Sequence, residues 1–443
     1  MPGAASCGHD VIGSALQEVE PPEDILRARD DAPSPVGAGG PRLRILHLCA
    51  AQVPDFDAGR GGAIYYRQTA EALAALGHEV HVRVINAAPH PGLAGPAGPW
   101  SSFGTLPATT RTRSAATKWA PVLSKRRRPE ILVPGYLGHG DAVRRILDAG
   151  DYDLAVCDWI GSFVAFPRDR TIPILYMHHD FAHEIERVKR LHRRRKPSPR
   201  SLIGLDRLRD IELSEIRRAD AVICASHAEA ARIEALTGQP ASYVPIYGGP
   251  IPPPSRDMAR RARLFVFGFH NTAMASSMAD LGALFDSLRR RHPIDIHHVG
   301  NLNGRGQAAW DPFGARHAIT FHGHVSDLEA VFRPGDILVS PYAEGTGFRT
   351  KFVTAAGHGM ICAGLDRSFE CAPEFRGGAN CIMAPDVESL SRRIAETLAD
   401  PGARLALSNG ARVTYDAEFH AARHLPTYRA ALDRVMGRSV IAV

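Results

Sequence analysis

Short apolar runs alternate along the chain with stretches whose apolar positions fall at helical spacing. The first run, Leu43 to Cys49, reads as a buried strand. Ala63 to Leu76 follows as a helix, with Leu73 and Leu76 on its inner face and Gly77 as its stop. His78 to Ile85 is the next strand. Strand, helix, strand in this order predicts a parallel βαβ unit. Asp153–Asp158, Thr171–Met177 and Ala219–Ser226 read as further strands, Leu205 to Arg218 as a helix, and Tyr243–Ile246 as the close of a first half. Ser226 and Glu229 fit a capping box at the start of a short helix. Residues 86–130 are irregular and yield no element.

A stiff segment, Tyr247-Gly248-Gly249-Pro250-Ile251-Pro252-Pro253-Pro254, marks a boundary and a hinge. A second α/β half begins at Leu264–Gly268. It continues through strands at Ile294–Gly300, Ala318–Gly323, Asp336–Ser340, Met360–Ala363 and Cys381–Met383, then a helix from Asp386 to Leu398. Residues 421–436 form a final amphipathic helix with Leu425, Tyr428, Leu432 and Val435 inward. The expected fold class is therefore α/β, with two doubly wound Rossmann-like domains at 41–247 and 263–415, a linker at 248–262 and a terminal helical segment at 416–443. Residues 1–40 lack periodicity and read as a disordered tail without chemistry.

A length of 443 residues calls for two cores. No apolar run is long enough to span a bilayer, and the start of the chain lacks the apolar core of a signal peptide, so the cytoplasm is the expected compartment. The seven cysteines include no CxxC pair. Cys49, Cys157, Cys224 and Cys362 lie in or beside apolar runs and read as small buried hydrophobes; neither a disulfide framework nor a zinc site is expected. A net charge of +6 is mild for this length and does not imply nucleic-acid binding. Local charge says more. Residues 181–196 place Phe181, Ile185, Val188 and Leu191 at helical spacing beside Arg187, Lys189, Arg190, Arg193, Arg194, Arg195 and Lys196. That composition fits a peripheral helix on an anionic membrane and equally a solvated helix face. The cluster Lys125–Arg128 reads as a solvated loop.

Three places carry candidate chemistry. Residues 341–362 run from a buried strand through a glycine turn into a helix, an arrangement that binds phosphate. Gly345 and Gly347 would let backbone N–H groups approach an anion, and Arg349 and Lys351 add two cations at the helix start. A tight turn with a solvated basic helix start explains the same residues. Gly59, Gly61 and Gly62 lie between the first strand and its helix, at the ligand-facing edge of an open sheet, and do not form a dinucleotide fingerprint. His178-His179-Asp180 ends a strand at the corresponding edge; these histidines could bond a substrate, move a proton, or serve as loop histidines with local partners.

From about residue 43 to 440 the chain resembles the GT-B glycosyltransferases, closest to the retaining family 4 type. The resemblance rests on RILHLCA…GRGGAIYYRQTAEALAALGHEVHV, on RRADAVICASHAEA, and on ITFHGHVSDLEAVFRPGDILVSPYAEGTGFRTKFVTAAGHG. It implies a central cleft, with a nucleoside-diphosphate sugar on the C-terminal half, an acceptor on the N-terminal half, and the last helix packing back on the N-terminal domain. Arg349 and Lys351 match the family's basic pair and would neutralise the leaving diphosphate. Glu344 would bond hydroxyls of the donor sugar, with Gly345, Thr346 and Gly347 beside it. Gly61 and Gly62 match the glycine loop facing the donor, and His178 or His179 the histidine near the reacting sugar. The family's second glutamate, which holds the nucleotide ribose, is Thr354 here, a weaker and neutral substitute. The resemblance implies retention of configuration and no cofactor or metal, the nucleotide sugar being a substrate. Its partner would be a glycan, lipid or small-molecule acceptor. Thr354 also keeps open a catalytically silent module that binds sugar, nucleotide or a protein; a nucleotide-sugar epimerase is the other alternative.

Overall fold

The computed structural model describes residues 41–54, 61–87, 98–107, 132–133, 139–169, 172–191, 202–254, 261–268, 272–302, 304–341 and 347–441. Two parallel sheets carry the fold, each flanked by helices. The first contains β1 (Arg44–Ala50), β2 (Glu79–Ala87), β3 (Ser102–Pro107), β4 (Leu154–Asp158), β5 (Ile174–His178), β6 (Ala221–Cys224) and β7 (Ala241–Tyr243), in the order β3-β2-β1-β4-β5-β6-β7. Its described helices are α1 (Gly61–Ala75), α2 (Gly140–Ala149), α3 (Trp159–Ala165), α4 (Ala182–Leu191), α5 (Leu205–Ile216) and α6 (His227–Thr237). The second sheet contains β8 (Leu264–Phe267), β9 (Ile296–Val299), β10 (Ile319–Phe321), β11 (Ile337–Ser340), β12 (Ile361–Leu365) and β13 (Cys381–Ala384), in the order β10-β9-β8-β11-β12-β13. Around it lie α7 (Thr272–Arg291), α8 (Gly304–His317), α9 (Thr350–Gly357), α10 (Asp366–Phe369), α11 (Val387–Ala399) and α12 (Pro401–Glu418), and α13 (Ala421–Ile441) closes the chain. This is the α/β architecture of two Rossmann-like domains.

The central strands formed where the apolar runs predicted them, because a strand covered on both faces reads as a continuous hydrophobic segment. Every residue of β4, β5 and β6 is buried. β3 shows the limit of that rule. It lies in the region read as irregular, and its Ser-Phe-Gly-Thr-Leu-Pro sequence has no β-branched run. Pairing with β2 makes it a strand: Arg83 and His81 of β2 both reach the Ser102 hydroxyl, at 3.0 and 2.8 Å. The helix α12 was likewise not foreseen, and it matters for the hinge. The Tyr415 hydroxyl accepts from Ile251 N–H at 3.0 Å and donates to the Gly249 carbonyl at 3.3 Å. Arg412 bonds the carbonyls of Pro252 and Ile251 at 3.0 and 3.3 Å and also that of Gly357 at the end of α9.

α13 packs on α1, β5, β6 and β7 of the first sheet, with His424 stacked on Tyr247 of the hinge. The basic segment at 181–196 turns its apolar side into the protein. Phe181 is buried in the core of the N-terminal half, Val188 is buried as well, and only Leu191 of the apolar series is exposed. Arg187 pairs with Glu184 and Arg190 with Glu186, both on α4. The apolar side of this helix is thus taken up by the protein; residues 192–196 lie outside the described residues, as do 1–40 and Lys125–Arg128. Cys49, Cys157, Cys224 and Cys362 are buried free thiols. Among the described residues no helix is long and apolar enough to cross a membrane.

Each sheet reverses its strand order at one point. In the first the reversal lies between β1 and β4, in the second between β8 and β11. The crevice outside the carboxyl ends of the strands at such a point is where open α/β sheets bind ligands.

Candidate active site

On the second sheet, a floor of main chain lies beside the crevice between β8 and β11. Gly268 follows β8 with φ +125°, and Gly300 follows β9, on the other side of β8 from β11, with φ +134°. A Cβ on Gly300 would strike the Gly268 carbonyl, so side chains are excluded there. The Lys351 ammonium reaches this floor, with Nζ 3.9 Å from where a Cβ on Gly268 would stand. Lys351 lies in the first turn of α9, and Arg349 is the residue at its N-cap. Lys351 keeps some solvent contact by surface area, yet protein encloses its charged end. Burial first and the neighbouring Arg349 second push its pKa down to about 7. Two cations at a helix N-terminus make a receptor for a multiply charged anion. Glu344, Gly345 and Thr346, the other candidates on this turn, lie outside the described residues. Thr354 sits one turn further along α9, where its hydroxyl donates to the Thr350 carbonyl at 3.3 Å.

On the first sheet, Gly61 and Gly62 are the first two residues of α1 itself. The sequence had placed them in the loop before it. A Cβ on Gly61 would lie 3.2 Å from Cγ2 of Thr350, the first residue of α9. The N-termini of α1 and α9, one from each half of the chain, therefore meet, and their partial positive charges face the same cleft.

His178 and His179 turn to different neighbours. His179 Nε2 is 2.5 Å from Asp158 Oδ1, and its ring packs on Tyr65 and Tyr66 at centroid distances of 4.8 and 5.3 Å. Asp158 ends β4, and its second oxygen is 3.0 Å from Nε2 of His47 on β1. Burial alone would raise the Asp158 pKa; the two imidazoles outweigh it and hold the carboxyl below the usual range. His178 has no exposed surface. Its Nε2 is 3.2 Å from Glu229 Oε2, and the Tyr176 hydroxyl is 3.4 Å from its Nδ1.

Glu229 completes only half of the predicted capping box. Ser226 accepts from the Glu229 N–H at 3.4 Å, but the Glu229 carboxylate turns away and accepts from Gly347 N–H at 3.1 Å. The amide expected to cradle an anion is thus held by a carboxylate from the other half. Gly347 has φ +69°, and a Cβ there would collide with the Asp180 carboxylate. His178, Cys224 and Glu229 bring one ligand atom each to within 4.8 Å of one another, so these three could surround a cation. Only Oε1 of Glu229 holds a hydrogen bond, from Gly347 of the other half; Oε2 and the His178 Nε2 beside it are buried without one among the described residues.

Asp158 and His47 were not singled out from sequence, and Glu229 only as a capping residue. One signal was available for Asp158: a lone acidic residue at the carboxyl end of a buried parallel strand is costly unless paired. His47, inside an apolar run, gave none.

Residues 59–249 match the family model described as Glycosyltransferase Family 4, and residues 256–400 the one described as Glycosyl transferases group 1. Solved structures are similar over most of the chain. Sucrose-phosphate synthase from Thermosynechococcus elongatus is 17% identical, with a TM-score of 0.67 over 88% of this chain and 99% of that one. HepE of Anabaena in complex with UDP-glucose is 14% identical, with a TM-score of 0.58 over 88% and 100%. An α,α-trehalose-phosphate synthase (UDP-forming) from Burkholderia vietnamiensis is 13% identical, with a TM-score of 0.56 over 89% and 100%. No curated protein sequence matches the chain. With two family models covering both halves in order and two Rossmann-like domains facing each other, the chain belongs to the family 4, group 1 glycosyltransferases and has their GT-B fold.

Proposed function

We propose that the chain moves a sugar from a nucleoside-diphosphate sugar to an acceptor hydroxyl, with retention of configuration and without a metal ion, in glycan or glycolipid synthesis. The observation that carries this reading is the placement of Arg349 and Lys351 at the N-terminus of α9, above a glycine floor and against the N-terminus of α1. The leaving diphosphate gains charge as the glycosidic bond breaks, and groups that meet this charge lower the barrier. HepE holds UDP and UDP-glucose, which makes a uridine nucleotide sugar the first donor to try. In this reading the acceptor hydroxyl attacks from the face that the nucleotide leaves, and the departing phosphate takes its proton. His179 faces the reacting sugar, while Glu344 and the turn at Gly345, Thr346 and Gly347 hold the donor. Gly61 and Gly62 allow its close approach. Bending about Gly248 and Gly249 would close the halves and exclude water.

A panel of nucleotide sugars, assayed for transfer and for hydrolysis, tests the reading. Lys351→Ala should lower turnover by ~10²-fold, the order expected for one lost charge-stabilising group. Unchanged turnover would remove the mechanism. The Thr354 hydroxyl, already engaged by its own helix, favours one second reading: a silent module that binds nucleotide sugar and does not turn it over. Tight donor binding with neither transfer nor hydrolysis across the panel would select it. Product formed without any acceptor would instead indicate an epimerase.

A further inference from the structure

We infer that Asp158 is a positioning residue for the transfer reaction, acting through His179 and held in turn by His47. The inference rests on the glycosyltransferase reading above. It starts from a helix cap that is not made. Asp158 occupies the N-cap of α3, where an aspartate ordinarily accepts from the helix's free N–H groups. Here its side chain makes no cap bond. One oxygen goes to His179 Nε2 at 2.5 Å and the other to His47 Nε2 at 3.0 Å. The backbone bears a second cost at the same point. Trp159, the next residue, has φ +69°, a conformation that bulky residues rarely adopt. Strain of this kind is of order 1–3 kcal/mol and persists where the surroundings over-determine it. A missed cap and a strained Trp are both explained if Asp158 must point at the two imidazoles.

The chemistry follows from the donors. A carboxylate only accepts, so both ring nitrogens facing Asp158 must carry hydrogen. His179 is thereby fixed with its proton on Nε2. Its Nδ1, which has no partner among the described residues, is left with a lone pair for a sugar hydroxyl. The groups facing His179 are Asp158, the rings of Tyr65 and Tyr66 on α1, and its chain neighbours His178 and Asp180. His178 Nε2 lies 3.2 Å from Glu229 Oε2. Behind Asp158 stand His47 and the Cys49 thiol, 3.5 Å from His47 Nε2. Asp158 is therefore the nearest negative charge bonded to the His179 ring.

Asp158→Asn removes the pure acceptor that fixes the proton on Nε2, and should lower kcat more than it raises the donor KM. His47→Leu leaves the bond between Asp158 and His179 in place and should lower kcat less. A residue that merely supports packing would lower Tm without changing the tautomer of His179. The tautomer is read without turnover, from 15N NMR of the histidine-labelled, ligand-free protein, with the His179 signals assigned by their loss in His179→Gln. Wild type should show the Nε2–H form, and Asp158→Asn a mixture of both. An Nδ1–H form in wild type, or the same tautomer in both proteins, would overturn the inference whether or not transfer is ever observed. If Asp158→Asn does not fold, the wild-type tautomer alone decides: an Nδ1–H form overturns it.

Discussion

The Glu229 carboxylate of the N-terminal half accepts the Gly347 N–H of the C-terminal half at 3.1 Å, and its other oxygen lies 3.2 Å from His178. This contact joins the two halves at the last glycine of the turn before α9. Removing a charged acceptor from a buried amide costs on the order of 1.5–3 kcal/mol. Glu229→Ala should therefore shift the protein toward an open form, seen as a larger radius of gyration in solution scattering without nucleotide. An unchanged radius would show that other contacts hold the halves together. Gly347→Ala tests the same joint from the other side: its φ of +69° and the Asp180 carboxylate leave no room for a methyl group.

Donor affinity should depend on pH through Lys351. Burial and then Arg349 bring its pKa to about 7, below the ordinary lysine value. The free protein therefore carries this cation below about pH 7 and loses it above. A diphosphate favours the charged form, so binding takes up a proton on the alkaline side and affinity falls as pH rises through 7. UDP-glucose suits the test, because its phosphates are diesters and stay ionised throughout. Its Kd by calorimetry should be about tenfold weaker near pH 8.5 than near pH 6. Lys351→Arg keeps the charge and should flatten the dependence. A pH-independent Kd in wild type would separate Lys351 from the phosphates.

Thr354→Glu introduces the carboxylate that the resemblance to the family implies at this position. The native hydroxyl donates to the Thr350 carbonyl and offers a neutral oxygen. A carboxylate accepting from ribose hydroxyls is worth about 1.5–3 kcal/mol, or about 10- to 100-fold in affinity. The donor KM should fall accordingly. If Thr354→Glu binds no more tightly, this chain holds its nucleotide by another geometry.

Arg412 ties Ile251 and Pro252 of the hinge to Gly357 at the end of α9. Arg412→Ala would leave three carbonyls short of a donor and should destabilise the protein by about 1–3 kcal/mol, read as a lower Tm. The loss should be smaller in Arg412→Lys, whose single ammonium keeps one of the bonds.

With Phe181 and Val188 buried, the segment at 181–196 keeps charge as its main means of meeting a membrane. Sedimentation with anionic vesicles at low salt, abolished at high salt, is the expected behaviour of such contact. Failure to sediment at low salt would remove the membrane reading.

The fold was legible in the chain because strands buried on both faces write themselves as apolar runs, as β4, β5 and β6 do. β3 and α12 were not, since pairing with β2 and packing on the hinge make them what they are. At the site, Arg349, Lys351 and Gly61 could be found because a cation or a glycine at a strand's carboxyl end is visible locally. The pairings of His47 with Asp158 and of Glu229 with Gly347 span distant parts of the sequence, and no local pattern announces them. The two adjacent histidines could be separated only once their partners were known.

The glycine floor formed by Gly268 and Gly300 has an evolutionary meaning. Where one main chain lies directly on another, no side chain can be enlarged, shrunk or recharged to suit a new ligand. Substitution at Gly300 meets the Gly268 carbonyl before it meets any donor. A change of ligand preference would therefore have to come from side chains around the rim of the crevice, with its base held constant by sterics.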